Sequence, residues 1–271
     1  MHVLLLAITA LAVATEPGPT LAVEDTVYTS VPEVLVRAPR VTLNEILDRV
    51  ALGEARRDSL LSDQAFSFTM RLVGHVGGKR EPRLLIETVD RVYRKKPDRV
   101  RAVRLREYRY KEKQRESVQA EFNAGMSEEI VNFAFRPEAR RDYTYSIADR
   151  AVVGHHVIYQ IDFEPRSKLA FDKPHGRVWV DTNDFVIVRE ELHFDRSPAP
   201  LFLKDIDRVV VERGRVDGFW VLQRVLVRMR MTLPIPTIGK SFDLSLMYDD
   251  YALNRGIDDA LFDGEPRAEG R

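Results

Sequence analysis

Val157-Ile158-Tyr159-Gln160-Ile161-Asp162-Phe163-Glu164 and, further on, Val178-Trp179-Val180-Asp181-Thr182-Asn183-Asp184-Phe185-Val186-Ile187-Val188 decide the fold class. In the first stretch Val157, Tyr159, Ile161 and Phe163 stand opposite Gln160, Asp162 and Glu164. That period of two describes a strand with one apolar and one wet face. In the second, Val178 and Val180 lead through the turn residues Asp181 to Asp184 into Val186 and Val188, which reads as a hairpin. The same alternation recurs on both sides. Phe66, Phe68, Met70 and Leu72 alternate with Ser67, Thr69 and Arg71 and run into Gly77-Gly78, a hairpin signal. Tyr143, Tyr145 and Ile147 form a further strand, and Val225, Val227, Met229 and Met231 oppose Arg224, Arg228 and Arg230. Phe242, Leu244, Leu246 and Tyr248 supply the last strand. Short, turn-rich separations without long intervening helices predict a mainly β (α+β) chain with a single antiparallel sheet, greasy on one face.

Such a face needs cover. Thr42-Leu43-Asn44-Glu45 matches a capping box, and Leu43, Ile46, Leu47 and Val50 follow at helical spacing, predicting an amphipathic helix over about 43–61 with Arg49, Arg56 and Arg57 on its wet face. A less regular helical region is expected around 114–134. The leader, residues 15–41, holds Pro17, Pro19, Pro32 and Pro39 and is expected to be extended, with at most one edge strand. Before it, Val3 to Val13 is an apolar run of eleven residues ending in Ala12-Val13-Ala14, too short to span a bilayer and shaped like a signal peptide. Residues 1–14 are therefore expected to be cleaved after Ala14, giving an exported, periplasmic protein. Pro234 and Pro236 interrupt the chain before the last strand, and the tail 264–271 is expected to fray.

The 271 residues carry 42 Lys and Arg against 42 Asp and Glu, a balance that argues against bulk-charge binding to nucleic acid. The charge is unevenly placed: residues 91–115 hold twelve Lys or Arg and three acids, whereas 243–265 hold seven acids and one Arg. The plain reading is a set of solvated strand faces, and the sharper one is a basic rim for an anionic membrane surface or an envelope protein. The absence of cysteine removes disulfides, thiolate metal sites and cysteine nucleophiles.

No motif of chemistry survives inspection. Gly74 to Arg80 and Gly239-Lys240-Ser241 lack the spacing of a phosphate loop and read as hairpin turns. His155 and His156 are adjacent on a strand and diverge, while His175 and His193 can approach across a hairpin without a metal-site spacing. Asp181 to Asp184 lacks the ligand pattern of a calcium loop. Neighbouring acids such as Glu190-Glu191 point to opposite faces, so no acid/base dyad is predicted. No metal or cofactor is expected, and a hydrolase would need a site assembled from scattered residues.

Tyr159-Gln160-Ile161-Asp162-Phe163, Gly176-Arg177-Val178-Trp179-Val180-Asp181, Phe185 to Glu191, Gly218-Phe219-Trp220-Val221 and Gly256-Ile257-Asp258-Asp259-Ala260-Leu261-Phe262 together resemble the outer-membrane lipoprotein-sorting and carrier superfamily, the LolA/LolB-like proteins. The likeness covers residues 42–263. It implies a strongly curved sheet, an incomplete β-barrel closed by one or more helices, whose concave face receives acyl chains of lipoproteins or other lipids. The lining residues expected on that face are Phe66, Phe68, Met70, Leu72, Tyr159, Trp179, Trp220, Val225, Val227, Met229, Phe242 and Leu244. Trp179 shares strand parity with Arg177 and Asp181 rather than with Val178 and Val180. The other readings are an envelope protein-interaction or sensor domain on the same scaffold, and a hydrolase.

Overall fold

The structure is a computed structural model that describes residues 41–75, 82–110, 133–167, 173–197, 203–235 and 239–263. The expected signal peptide, most of the leader, the Gly77-Gly78 turn, most of the helical region around 114–134 and the tail lie outside the described residues. Helix α1 (Leu43–Leu60) is followed by strands β1 (Asp63–His75), β2 (Arg83–Lys95), β3 (Arg99–Arg109), β4 (Tyr143–Val153), β5 (His156–Pro165), β6 (His175–Asp181), β7 (Val186–His193), β8 (Leu203–Val216), β9 (Phe219–Ile235) and β10 (Gly239–Leu253). All ten strands form one antiparallel sheet in the order β3-β2-β1-β10-β9-β8-β7-β6-β5-β4. The sheet is two meanders joined where β1 pairs with β10. It does not close, because β3 and β4 stand at opposite ends of the order.

Strand β8 has no counterpart in the sequence reading, and its bulges explain why. Three register shifts against β9 break the period of two, so Ile206, Val209 and Val211 do not alternate regularly with their charged neighbours. Strand β3 and the end of β2 lie in the segment 91–115 read as basic, and the start of β2 has no counterpart in the sequence reading. Pro234 does not stop β9, which continues to Ile235. His155 lies in the turn between β4 and β5 rather than on a strand.

Helix α1 starts as its cap predicts: Thr42 Oγ1 accepts from the Glu45 amide at 3.3 Å. The Glu45 carboxylate pairs with Arg49 on the next turn. The helix buries Ile46, Leu47, Val50, Gly53, Glu54 and Arg57 and lies against β4, β7 and β9. Gly53 is the point of closest approach, since a Cβ there would stand 2.3 Å from the Phe185 carbonyl oxygen in the β6–β7 turn. At its other end α1 accepts Lys96, from the β2–β3 turn, on the Asp58 carbonyl. Laid flat, the eight steps from β2 to β4 would span roughly 38 Å at about 4.8 Å each. The 18-residue helix is about 27 Å long at about 1.5 Å per residue, yet it meets β4 and, through Lys96, the β2–β3 turn.

Candidate functional site

Cross-strand register assembles the apolar face. Partner residues in an antiparallel pair share a face, so a chain of partners traces a row across the sheet. One row runs Ile86, Leu72, Leu244, Val227, Val209, Leu192, Gly176, Phe163, Tyr145, from β2 to β4. Glycine aside, it is entirely apolar or aromatic. The next row runs Met70, Leu246, Val225, Val211, Glu190, Val178, Ile161, Ile147.

Ten of the twelve expected lining residues belong to this face. Phe66, Phe68, Met70, Val225 and Leu244 are buried in the main core with Ile46, Leu47 and Val50 of α1, and Leu72, Tyr159, Val227 and Met229 pack against it half-buried. Phe242 is buried beside Leu85 in a small cluster that shares Leu72, Ile86 and Met229. Phe66 and Phe68 stack near Tyr248 at 5.8 and 5.2 Å between ring centres. The face therefore has a closed part beneath α1 and a part, around Leu72, Ile86, Ile206, Val227 and Met229, that stays half-buried among the described residues.

The two tryptophans are corrections. Trp179 pairs in register with Gln160 and Arg189, on the charged face, and the Arg189 guanidinium sits 5.2 Å from its ring. Its strand parity with Arg177 and Asp181 had signalled this placement. Trp220 is absent from the buried clusters; its indole Nε1 donates to Asp184 Oδ2 at 2.8 Å. It lines a shallow groove of about 400 Å³ with Ile158 and Val188.

Charged groups enter the apolar side at two places the sequence did not reveal. Glu54 of α1 accepts from Arg213 Nη1 at 2.7 and 2.9 Å and from the Ile187 amide at 2.8 Å, and Arg57 lies 3.4 Å away. Burial alone would raise the Glu54 carboxyl, but Arg213, Arg57 and the Ile187 amide together hold it below its ordinary value. This ion pair ties α1 to β7 and β8. Glu190 is fully buried between Val211 and Val178, and its charge acts on Arg213.

The opposite face of the sheet is an ion-pair lattice. Arg177 grips Asp162 through Nε and Nη2 at 2.6 and 3.0 Å, Arg208 reaches Glu191 at 2.7 Å, and Arg224 reaches Glu212 at 2.8 Å. Asp243 receives Arg228 at 2.9 Å and His75 at 2.7 Å; burial opposes ionisation there, yet those two partners draw its carboxyl down. The basic and acidic segments of the sequence meet in space. Arg91 pairs with Asp250 at 2.5 Å, Lys95 and Arg99 share Asp259 at 2.6 and 3.0 Å, and Arg101 donates to the Leu261 carbonyl.

His175 and His193 do face each other across β6 and β7, with ring centres 5.8 Å apart. Asp181 closes its turn by accepting from the Asn183 amide at 2.8 Å and also meets His156 at 2.5 Å. Among the described residues no three His, Asp or Glu side chains converge as a metal site. No described helix is long and apolar enough to cross a membrane.

No family model and no curated protein sequence matches the chain. Solved structures similar to it include a DUF1329 family protein from Desulfovibrio piger, at 16% identity and a TM-score of 0.39, over 81% of this chain and 96% of that one. A putative outer membrane lipoprotein-sorting protein domain from Vibrio parahaemolyticus is 12% identical with a TM-score of 0.36, over 80% and 97% of the two chains. A LolA superfamily protein from Nitrosomonas europaea is 12% identical with a TM-score of 0.33, over 82% and 97%.

Proposed function

We propose that this chain is an exported cell-envelope module that binds lipid acyl chains or lipoproteins on its concave face, serving outer-membrane lipoprotein sorting or transport. In this reading the signal peptide is removed after Ala14 and the mature protein works in the periplasm. The observation that carries it is the apolar row from Ile86 to Tyr145, part of which, at Ile86, Leu72 and Val227, is only half-covered, with half-buried Met229 beside it. An acyl chain laid there loses water from its methylenes at about 0.8 kcal/mol each, which is affinity enough without polar recognition. Native mass spectrometry of the mature protein, exposed to a detergent-free lipid extract, should show acyl-bearing adducts. Leu72→Glu and Met229→Glu should lose them while keeping the native circular dichroism spectrum. A folded wild type that takes up no acyl ligand sinks the reading.

A second reading is an envelope protein partner. It is favoured by the edge strands β3 and β4, each paired on one side only among the described residues, where Leu105 on β3 and Val152 and Val153 on β4 are exposed. Strand addition at either edge would use the main chain and these side chains. Cross-linking from cysteine introduced at Leu105 or Val152 in the native envelope separates the two: protein adducts in place of lipid adducts support the partner.

A further inference from the structure

His175 opens β6 and His193 closes β7, and the register sets them directly opposite each other. Their strand neighbours Gly176 and Leu192 belong to the apolar row, so the two imidazoles stand on the charged face of the sheet. The ring centres are 5.8 Å apart. A zinc–imidazole bond measures about 2.0–2.1 Å, so two rings on one ion have centres no more than about 6.5 Å apart, and this pair falls inside that reach. The contacts behind the rings decide which nitrogen is available. His193 Nδ1 lies 3.0 Å from the Asp207 carbonyl oxygen, which only accepts, so Nδ1 carries the proton and the neutral ring keeps its lone pair on Nε2. Asp195 Oδ1 stands 3.6 Å from His175 Nδ1, and a carboxylate there favours the same tautomer. A carbonyl or carboxylate behind Nδ1 orients a metal-binding imidazole and raises the basicity of its Nε2. Both rings are open to solvent: His175 is 36% exposed and His193 is half-buried. The neighbouring arginines of this face, Arg177 and Arg208, are engaged by Asp162 and Glu191.

We propose that His175 and His193 form a two-histidine site for a divalent transition cation of the Zn²⁺ or Cu²⁺ kind, bound through both Nε2 atoms with water in the remaining positions. Imidazole nitrogen suits these ions, whereas Mg²⁺ and Ca²⁺ seek oxygen. The described residues supply two side chains rather than the three or four of a catalytic or structural zinc centre, so coordination positions stay open to solvent or to a further ligand. The site lies on the face away from the apolar row and does not depend on the function proposed above.

The test is calorimetric titration of the protein, prepared without a histidine tag, with Zn²⁺ and with Cu²⁺. Wild type should take up both ions, Cu²⁺ the more tightly, and excess Mg²⁺ should not compete. The Cu²⁺ complex should give an electron paramagnetic resonance spectrum split by two imidazole nitrogens. His175→Ala and His193→Ala should each weaken binding by about tenfold or more, since even an outer partner of a metal-binding histidine costs that much. Zn²⁺ should raise the melting temperature of wild type and leave that of either variant in place. His155→Ala, in the β4–β5 turn, should behave like wild type throughout. If His193→Ala melts early because its Asp207 contact is gone, His175→Ala reads the same loss alone. No uptake of either ion, equal uptake by wild type and His175→Ala, or a Cu²⁺ spectrum without imidazole nitrogen overturns the proposal. So does Zn²⁺ uptake that Mg²⁺ displaces, which would belong to carboxylates.

Discussion

Glu54 and Arg213 show how much a single residue decides. Glu54 is a charged side chain on the buried face of α1, where helical periodicity alone would ask for an apolar one. It is tolerable because Arg213, whose side chain is 1% exposed, returns two hydrogen bonds and the Ile187 amide a third. Glu54→Ala strands that cation in the core and should cost about 3–5 kcal/mol, read as a lowered urea midpoint. The pH dependence has a definite sign. Because the folded carboxyl lies below its unfolded value, its contribution is complete above the unfolded pKa and is lost as pH falls through the folded one. The stability gap between wild type and Glu54→Gln should therefore narrow on acidification through that window and stay constant above it. A gap that widens in acid would contradict the assignment.

At the scale of elements, the cap, stripe and length of α1 were legible, whereas its docking was not, and Arg57, expected on its wet face, is buried. Its cap, its apolar stripe and its length follow from residues 42–60. Thr42→Ala removes the oxygen that holds the Glu45 amide and should cost about 1 kcal/mol in thermal or urea unfolding. Gly53 carried no such signal, because what demands glycine is the Phe185 carbonyl 132 positions away. Gly53→Ala would improve helix propensity yet force the helix off the β6–β7 turn, and we expect a net loss of about 1–3 kcal/mol. A gain in melting temperature would show that the turn yields instead. The strands divide in the same way. Those with a clean period of two, such as β5 and β10, could be read directly, whereas β8 was masked by bulges and β3 by arginines at nearly every second position.

Over the whole molecule, the neutral charge balance is a spatial arrangement. The basic stretch and the acidic end are neighbours because β2 and β10 both flank β1, which carries Asp250 to Arg91 and Asp259 to Lys95 and Arg99. Asp259→Asn removes the carboxylate that Lys95 and Arg99 share. It should leave the melting temperature unchanged, as expected for a pair open to water. A clear drop in melting temperature would show that this pair fixes the segment after β10 against β2 and β3.

The sequence by itself determined that one sheet face is apolar, that α1 is capped and amphipathic, and that ten of the twelve chosen residues share a face, because side-chain direction alternates with position along a strand. It also carried the parity that puts Trp179 on the charged side. Only the tertiary structure decided strand order, the row from Ile86 to Tyr145 and the Glu54–Arg213 pair. Each of these depends on which distant segments become neighbours. Pairing register and helix docking set that, and neither leaves a periodic mark on the chain.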